Sequence, residues 1–100
     1  MLVEYDDSML NNDLTAIFIS VDEQIKNNID KYKRHPTIEH SLSVLLEEIE
    51  ELKQEVFRKE DRRSASAIYQ ELIDVAATAV RAILDLRLYK KYMRNCNEPN

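Results

Sequence analysis

Four carboxylates in two short motifs carry the most chemistry in this sequence. They are Glu48 and Glu51 in Glu47-Glu48-Ile49-Glu50-Glu51, and Glu71 and Asp74 in Glu71-Leu72-Ile73-Asp74. A spacing of three residues puts two carboxylates one helical turn apart on the same face, where both reach a single ion. Two such pairs on facing antiparallel helices supply an all-oxygen ligand set, as carboxylate sites inside other helical bundles do. Oxygen ligation suits Mg²⁺, with Mn²⁺ as a substitute, and disfavours zinc. Neither Cys96, His35 nor His40 stands in a zinc-site spacing. A hard divalent ion held by carboxylates points to phosphate chemistry.

Spacing by itself decides little. With 19 acids in 100 residues, about 3.5 acidic i,i+3 pairs arise by chance, and the chain has four. Position decides more. On a helical wheel Glu48 lies about 70° from the centre of its apolar stripe, and Glu71 and Asp74 border the apolar arc of their own helix. Those are boundary positions that face a cleft in a bundle. Glu47, Glu48, Glu50, Glu51 and Glu55 also crowd together with only Lys53 among them. The like-charge pairs Glu47/Glu51 and Glu51/Glu55 cost about 0.2–0.5 kcal/mol each, a repulsion that a divalent ion removes. The competing interpretation is a solvated, Glu-rich helix beside an ordinary core.

Long helices must position these groups. The chain has no glycine, which removes Gly-rich phosphate loops of the dinucleotide or P-loop kind. Hydrophobic residues at 44% and charged residues at 33% fit a folded helical protein. A first helix is expected over residues 13–34, capped by Asn12 or Asp13, with Leu14, Phe18, Val21, Ile25 and Tyr32 in one stripe. Pro36 ends it. A second helix follows the N-cap Thr37 and runs to about Arg58, with Leu42, Leu45, Ile49, Leu52 and Val56 in a near-heptad stripe. The charged residues 59–63 read as a connection, and Ser64 or Ser66 caps a third helix over residues 65–94.

Apolar positions cover about half the circumference of that third helix, more than two neighbours in one chain can bury. The expectation is a single all-α domain over residues 1–100, with tails at 1–11 and 95–100. Its three main antiparallel helices join a second copy in a four-helix-bundle-like homo-oligomer, a homodimer or homotetramer. The formal charge of −5 argues against a general nucleic-acid binder. The late cations Arg87, Lys90, Lys91 and Arg94 also suit a helix C-terminus. No apolar stretch approaches a membrane span, residues 1–7 lack a signal-peptide pattern, and the single cysteine makes no internal disulfide, so a cytoplasmic protein is expected.

The order EExxE (Glu47, Glu48, Glu51), a 19-residue interval and ExxD (Glu71, Asp74) resembles the MazG-like all-α nucleoside triphosphate pyrophosphatases, relatives of the dimeric dUTPases. Leu45-Leu46 before the first motif, Leu52 after it and the Ala-rich segment 74–81 add to the likeness, which covers about residues 35–88. The resemblance implies Mg²⁺-dependent hydrolysis of a nucleoside triphosphate to a monophosphate and pyrophosphate, in a nucleotide-housecleaning role. It implies Glu48, Glu51, Glu71 and Asp74 as metal ligands, and Glu47 as the residue that orients or deprotonates water. Members of that family commonly hold the phosphates with basic residues on a further helix, a place that Lys90, Lys91 or Arg94 can fill here, from the same or a neighbouring subunit. Arg81, about 20° from Asp74 in projection, is a candidate substrate contact, with a surface ion pair to Asp85 as its simpler role. His40, two turns before Glu48, is a further candidate. Two rivals stand beside this reading: a non-catalytic oligomeric bundle that acts as a regulatory or protein-interaction module, and a related phosphohydrolase acting on phosphoribosyl-nucleotides.

Overall fold

The computed structural model describes residues 4, 6–31 and 33–97, the last three by backbone alone. Among them the chain is all-helical: α1 (Asp7–Lys31), α2 (Ile38–Val56), α3 (Ala65–Asp85) and α4 (Leu88–Asn97). No helix among the described residues is long and apolar enough to cross a membrane.

Caps decide most of the boundaries. Thr37 has extended backbone angles, and its hydroxyl accepts the His40 N–H at 3.1 Å, which starts α2 where the sequence places it. Ser64, rather than Ser66, starts α3 by accepting the Ala67 N–H at 3.2 Å. At the other end of the chain the expected start is corrected: the Asp6 carboxylate accepts the Met9 N–H at 3.1 Å, so α1 begins six residues before Asp13. Part of the expected tail 1–11 is therefore helix. Between α2 and α3, Glu60–Arg62 form a 3-10 turn within the charged connection.

The expected third helix is two helices. α3 stops at Asp85, and Arg87 takes a left-handed backbone (φ 54°) before α4 begins. Glycine normally fills such a position, where a side chain costs about 1–2 kcal/mol. The expected tail 95–100 is shortened likewise, because α4 continues to Asn97.

α3 is the axis of the fold. Among the described residues α1, α2 and α4 each pack against it, while the backbones of α1 and α2 do not approach each other closely. Ser20 meets Tyr69 and Lys33 meets Arg81, so α1 runs parallel to α3. Ser41 and Leu42 share a small apolar groove with Ala79 and Ala82, while Glu48 sits beside Glu71, so α2 runs antiparallel to α3. The core is small: Val21 and Ile25 of α1 against Ile73 and Ala77 of α3, with Ala76 alongside.

Much of the expected apolar stripe stays open. Leu14 and Phe18 on α1 are exposed, Tyr32 lies outside the described residues, and Leu42 and Ile49 on α2 face solvent. Leu72, Val80 and Ile83 on α3 do the same. The chain exposes 8385 Å², where a compact monomer of 11.8 kDa exposes about 5900 Å². Its radius of gyration is 16.6 Å, against about 12.7 Å for a compact 100-residue domain.

A buried polar clamp holds the α1–α2 turn to the end of α3. Asp85 Oδ2 accepts the His35 backbone N–H at 2.8 Å and Arg81 Nε at 3.2 Å. The Asp85 carbonyl accepts from Arg34 Nε, and Arg81 also donates to the Lys33 carbonyl. The side chains of Arg81 and Asp85 are 4% and 10% exposed, so their ion pair is buried and not the surface contact expected from sequence. Removing one member of a buried pair strands the other charge. Asp85→Asn is expected to destabilise the protein by about 3 kcal/mol in urea unfolding. A loss below about 1 kcal/mol would show that the clamp contributes little.

Candidate metal centre and cleft

α1 and α2 stand apart on α3, and the space between them is a cleft of about 810 Å³. Its floor is Asp74, Thr78 and Arg81 of α3. One wall carries Gln24 and Asn28 of α1, and the other carries His40, Glu47, Glu48 and Glu51 of α2. The turn with Lys33, Arg34, His35 and Pro36 closes one end.

The carboxylates gather at the other end. Glu48, Glu71 and Asp74 each present an oxygen within 4.8 Å of the others, and all three are half-buried. Helix geometry explains the cluster: Glu71 and Asp74 are one turn apart on α3, and the antiparallel α2 brings Glu48 to the same level. Glu51 lines the cleft beside them, and its charge acts on Glu71. Asp74 is further held by Gln70 Nε2, which donates at 2.9 Å and also reaches Gln24 at 3.2 Å.

Other acids of α2 have cationic neighbours. Glu50 pairs with Lys53 at 3.4 Å, and Glu55 takes a two-pronged contact from Arg58 at 3.0 Å. The acids that face the cleft lack such pairs among the described residues. Desolvation first, then the charges of Glu51, Asp74, Glu71 and Glu47, push the Glu48 carboxyl up to about 7 from its ordinary 4.5. Desolvation and the neighbouring Glu51 raise Glu71 as well. Glu71 Oε2 is shielded from solvent without a hydrogen-bond partner among the described residues. A buried oxygen with no donor, inside a group of carboxylates that resist ionising together, fits a divalent cation. The donor set is all oxygen, as Mg²⁺ or Mn²⁺ requires.

The remaining sequence candidates divide by place. Glu47 and His40 line the cleft, and the His40 ring lies 5.2 Å from that of His35. Arg81 is part of the floor but is engaged with Asp85 and the Lys33 carbonyl. Lys90 and Lys91 are on α4 and do not line the cleft. Sequence reasoning missed Gln24, Asn28, Lys33, Arg34 and the role of His35. His35 is 6% exposed, and its Nδ1 lies 2.7 Å from the Ser41 hydroxyl. Burial, then the Arg81 charge, lower its pKa and keep the imidazole neutral at pH 7. Only the turn signal at Pro36, next to the motif-bearing helix, pointed toward this segment.

Comparison with protein-family models, curated proteins and solved structures finds no match to this chain.

The raised Glu48 pKa sets a pH dependence. A carboxyl that holds its proton more tightly when folded stabilises the protein below the unfolded value of 4.5, and that contribution is lost as pH rises through about 7. The melting temperature of the metal-free protein is therefore expected to fall from about pH 5 to about pH 8. Glu48→Gln should flatten that fall, and should remove the stabilisation that Mg²⁺ gives the wild type at the upper pH. Thermal melts in chelator and in Mg²⁺ check this; a wild-type curve that ignores both pH and Mg²⁺ contradicts the site.

Proposed function

We propose that the cleft is the active site of a Mg²⁺-dependent nucleoside triphosphate pyrophosphohydrolase. The observation that carries the proposal is the convergence of Glu48, Glu71 and Asp74, with Glu71 Oε2 shielded from solvent and without a hydrogen-bond partner among the described residues. The motif order that resembles MazG-like enzymes supports the same reading. Glu48, Glu51, Glu71 and Asp74 would hold the metal. Bound there, it supplies positive charge against the phosphates and polarises the reacting phosphorus.

The chain's own residues do the rest. Glu47 stands beside Glu48 on the cleft wall, placed to orient a water and take its proton as the water attacks. Gln70 keeps the Asp74 carboxylate turned toward the cluster. Attack at the α-phosphorus breaks the α–β bond, and the proton lost by water leaves through Glu47. The products are a nucleoside monophosphate and pyrophosphate.

Pyrophosphate release across the eight common ribo- and deoxyribonucleoside triphosphates tests this. Release is expected with Mg²⁺, none with chelator, and a loss of about a hundredfold or more in Glu47→Gln, the usual scale of a general base. Release of a different product would move the chemistry to a related phosphohydrolase. A silent panel would favour a non-catalytic module.

The homo-oligomer belongs to the same reading. The surplus of exposed surface, about 2500 Å² per chain, is of the size that obligate dimers bury. Exposed apolar positions stand at heptad-type spacings: Leu42 and Ile49 on α2, and Leu72, Ala79 and Ile83 on α3. A second copy laid on this face completes a four-helix bundle with α2 and α3 at its centre. Sedimentation should report a dimer or tetramer, and Leu72→Glu with Ile83→Glu should yield monomer or unfolded chain. A wild-type monomer at high micromolar concentration would refute the assembly.

A further inference from the structure

The cleft is bipolar. Its carboxylates sit at one end, and its cations sit at the other on the α1–α2 turn and the adjoining floor. Lys33, Arg34 and Arg81 are the Lys and Arg residues among the described ones that line it. Arg81 is nearly buried and gives hydrogen bonds to Asp85 and to the Lys33 carbonyl, so it shapes the turn. Lys33 and Arg34 are exposed, and they are the two that the turn presents to solvent.

Their backbone is unusually well fixed for a connecting segment. Asp85 holds the His35 N–H, Arg81 holds the Lys33 carbonyl, and Pro36 restricts the next position. Arg34 Nε is used on the Asp85 carbonyl, which leaves its terminal nitrogens to make a forked contact with an anion. Distance along the helices constrains the ligand. Eight residues of α2 separate His40 from Glu48, a rise of about 12 Å, and seven residues of α3 separate Arg81 from Asp74, about 10 Å. A compact anion cannot touch both ends. An elongated one, chelated to metal at the carboxylates, reaches the turn with its far end.

We propose that Lys33 and Arg34 form an anion subsite that receives the polyphosphate tail of a metal-chelated ligand. Resting on the proposed function, that ligand is a nucleoside triphosphate. The turn then offsets the repulsion that the carboxylate end exerts on a polyanion, and does so from within the same chain.

The test uses inorganic tripolyphosphate with Mg²⁺ as the probe, followed by isothermal titration calorimetry on the full chain. Lys33→Ala with Arg34→Ala is expected to weaken binding about tenfold or more and to flatten its salt dependence. Mg²⁺ binding alone should be unchanged. Lys59→Ala with Arg62→Ala, on the connection outside the cleft, should bind as the wild type does. If the Lys33/Arg34 variant binds tripolyphosphate like the wild type, or if the wild type binds none, the subsite is refuted. If the variant loses binding while the wild type releases no pyrophosphate from any triphosphate, the subsite stands and the hydrolytic reading fails. A circular dichroism melt excludes misfolding, and Arg34→Lys, which keeps the charge, should recover part of the affinity.

Discussion

The buried ion pair between Arg81 and Asp85 is the contact on which the rest of this architecture depends. Two charges taken out of water cost several kcal/mol each unless further hydrogen bonds complete their shells. Here the completing partners are backbone groups of the α1–α2 turn, at Lys33 and His35. The pair therefore acts on the chain's topology: it ties the α1–α2 turn to the far end of α3. With the turn fixed, α2 descends α3 in the register that brings Glu48 level with Glu71 and Asp74.

Against that order stands a thin apolar core. Four residues, Val21, Ile25, Ile73 and Ala77, form it, and the largest of them are isoleucines. Meanwhile the carboxylate end adds repulsion and desolvation, which show in the raised Glu48 and Glu71 pKa values. Functional sites commonly carry such local instability, compensated elsewhere in the structure. Two compensations fit this protein, a cation among the acids and a second apolar surface against α2 and α3.

What could be read from the sequence was what local chemistry dictates. Thr37 and Ser64 are caps whose hydroxyls satisfy specific N–H groups, and Pro36 forbids a continuous helix, so α2 and the start of α3 were legible. Helical period placed Glu71 and Asp74 on one face of α3 and Glu48 at the border of the apolar stripe of α2, while their meeting depends on the register between the two helices. The break at Arg87 was not legible, since the usual signal is a glycine and an arginine takes its place. Nor was the early start of α1 at Asp7 behind the Asp6 cap, where any of several acids or asparagines could have capped. Burial of Arg81 and the arrival of Lys33 and Arg34 in the cleft depend on contacts about 50 residues apart along the chain. Periodicity carries no information about those.

Because the backbones of α1 and α2 stay apart among the described residues, the cleft is built like a pair of tongs. The turn is the rivet, locked onto α3, while each arm rests on α3 through its own side of that helix. Near the rivet the gap is set by hydrogen bonds and is stiff. Toward the carboxylates α1 is still tied to α3, by the Tyr69–Ser20 and Gln70–Gln24 hydrogen bonds and by the packing of Val21 and Ile25 on Ile73 and Ala77. The less tethered arm at the acidic end is α2, the one that carries Glu48 and Glu51.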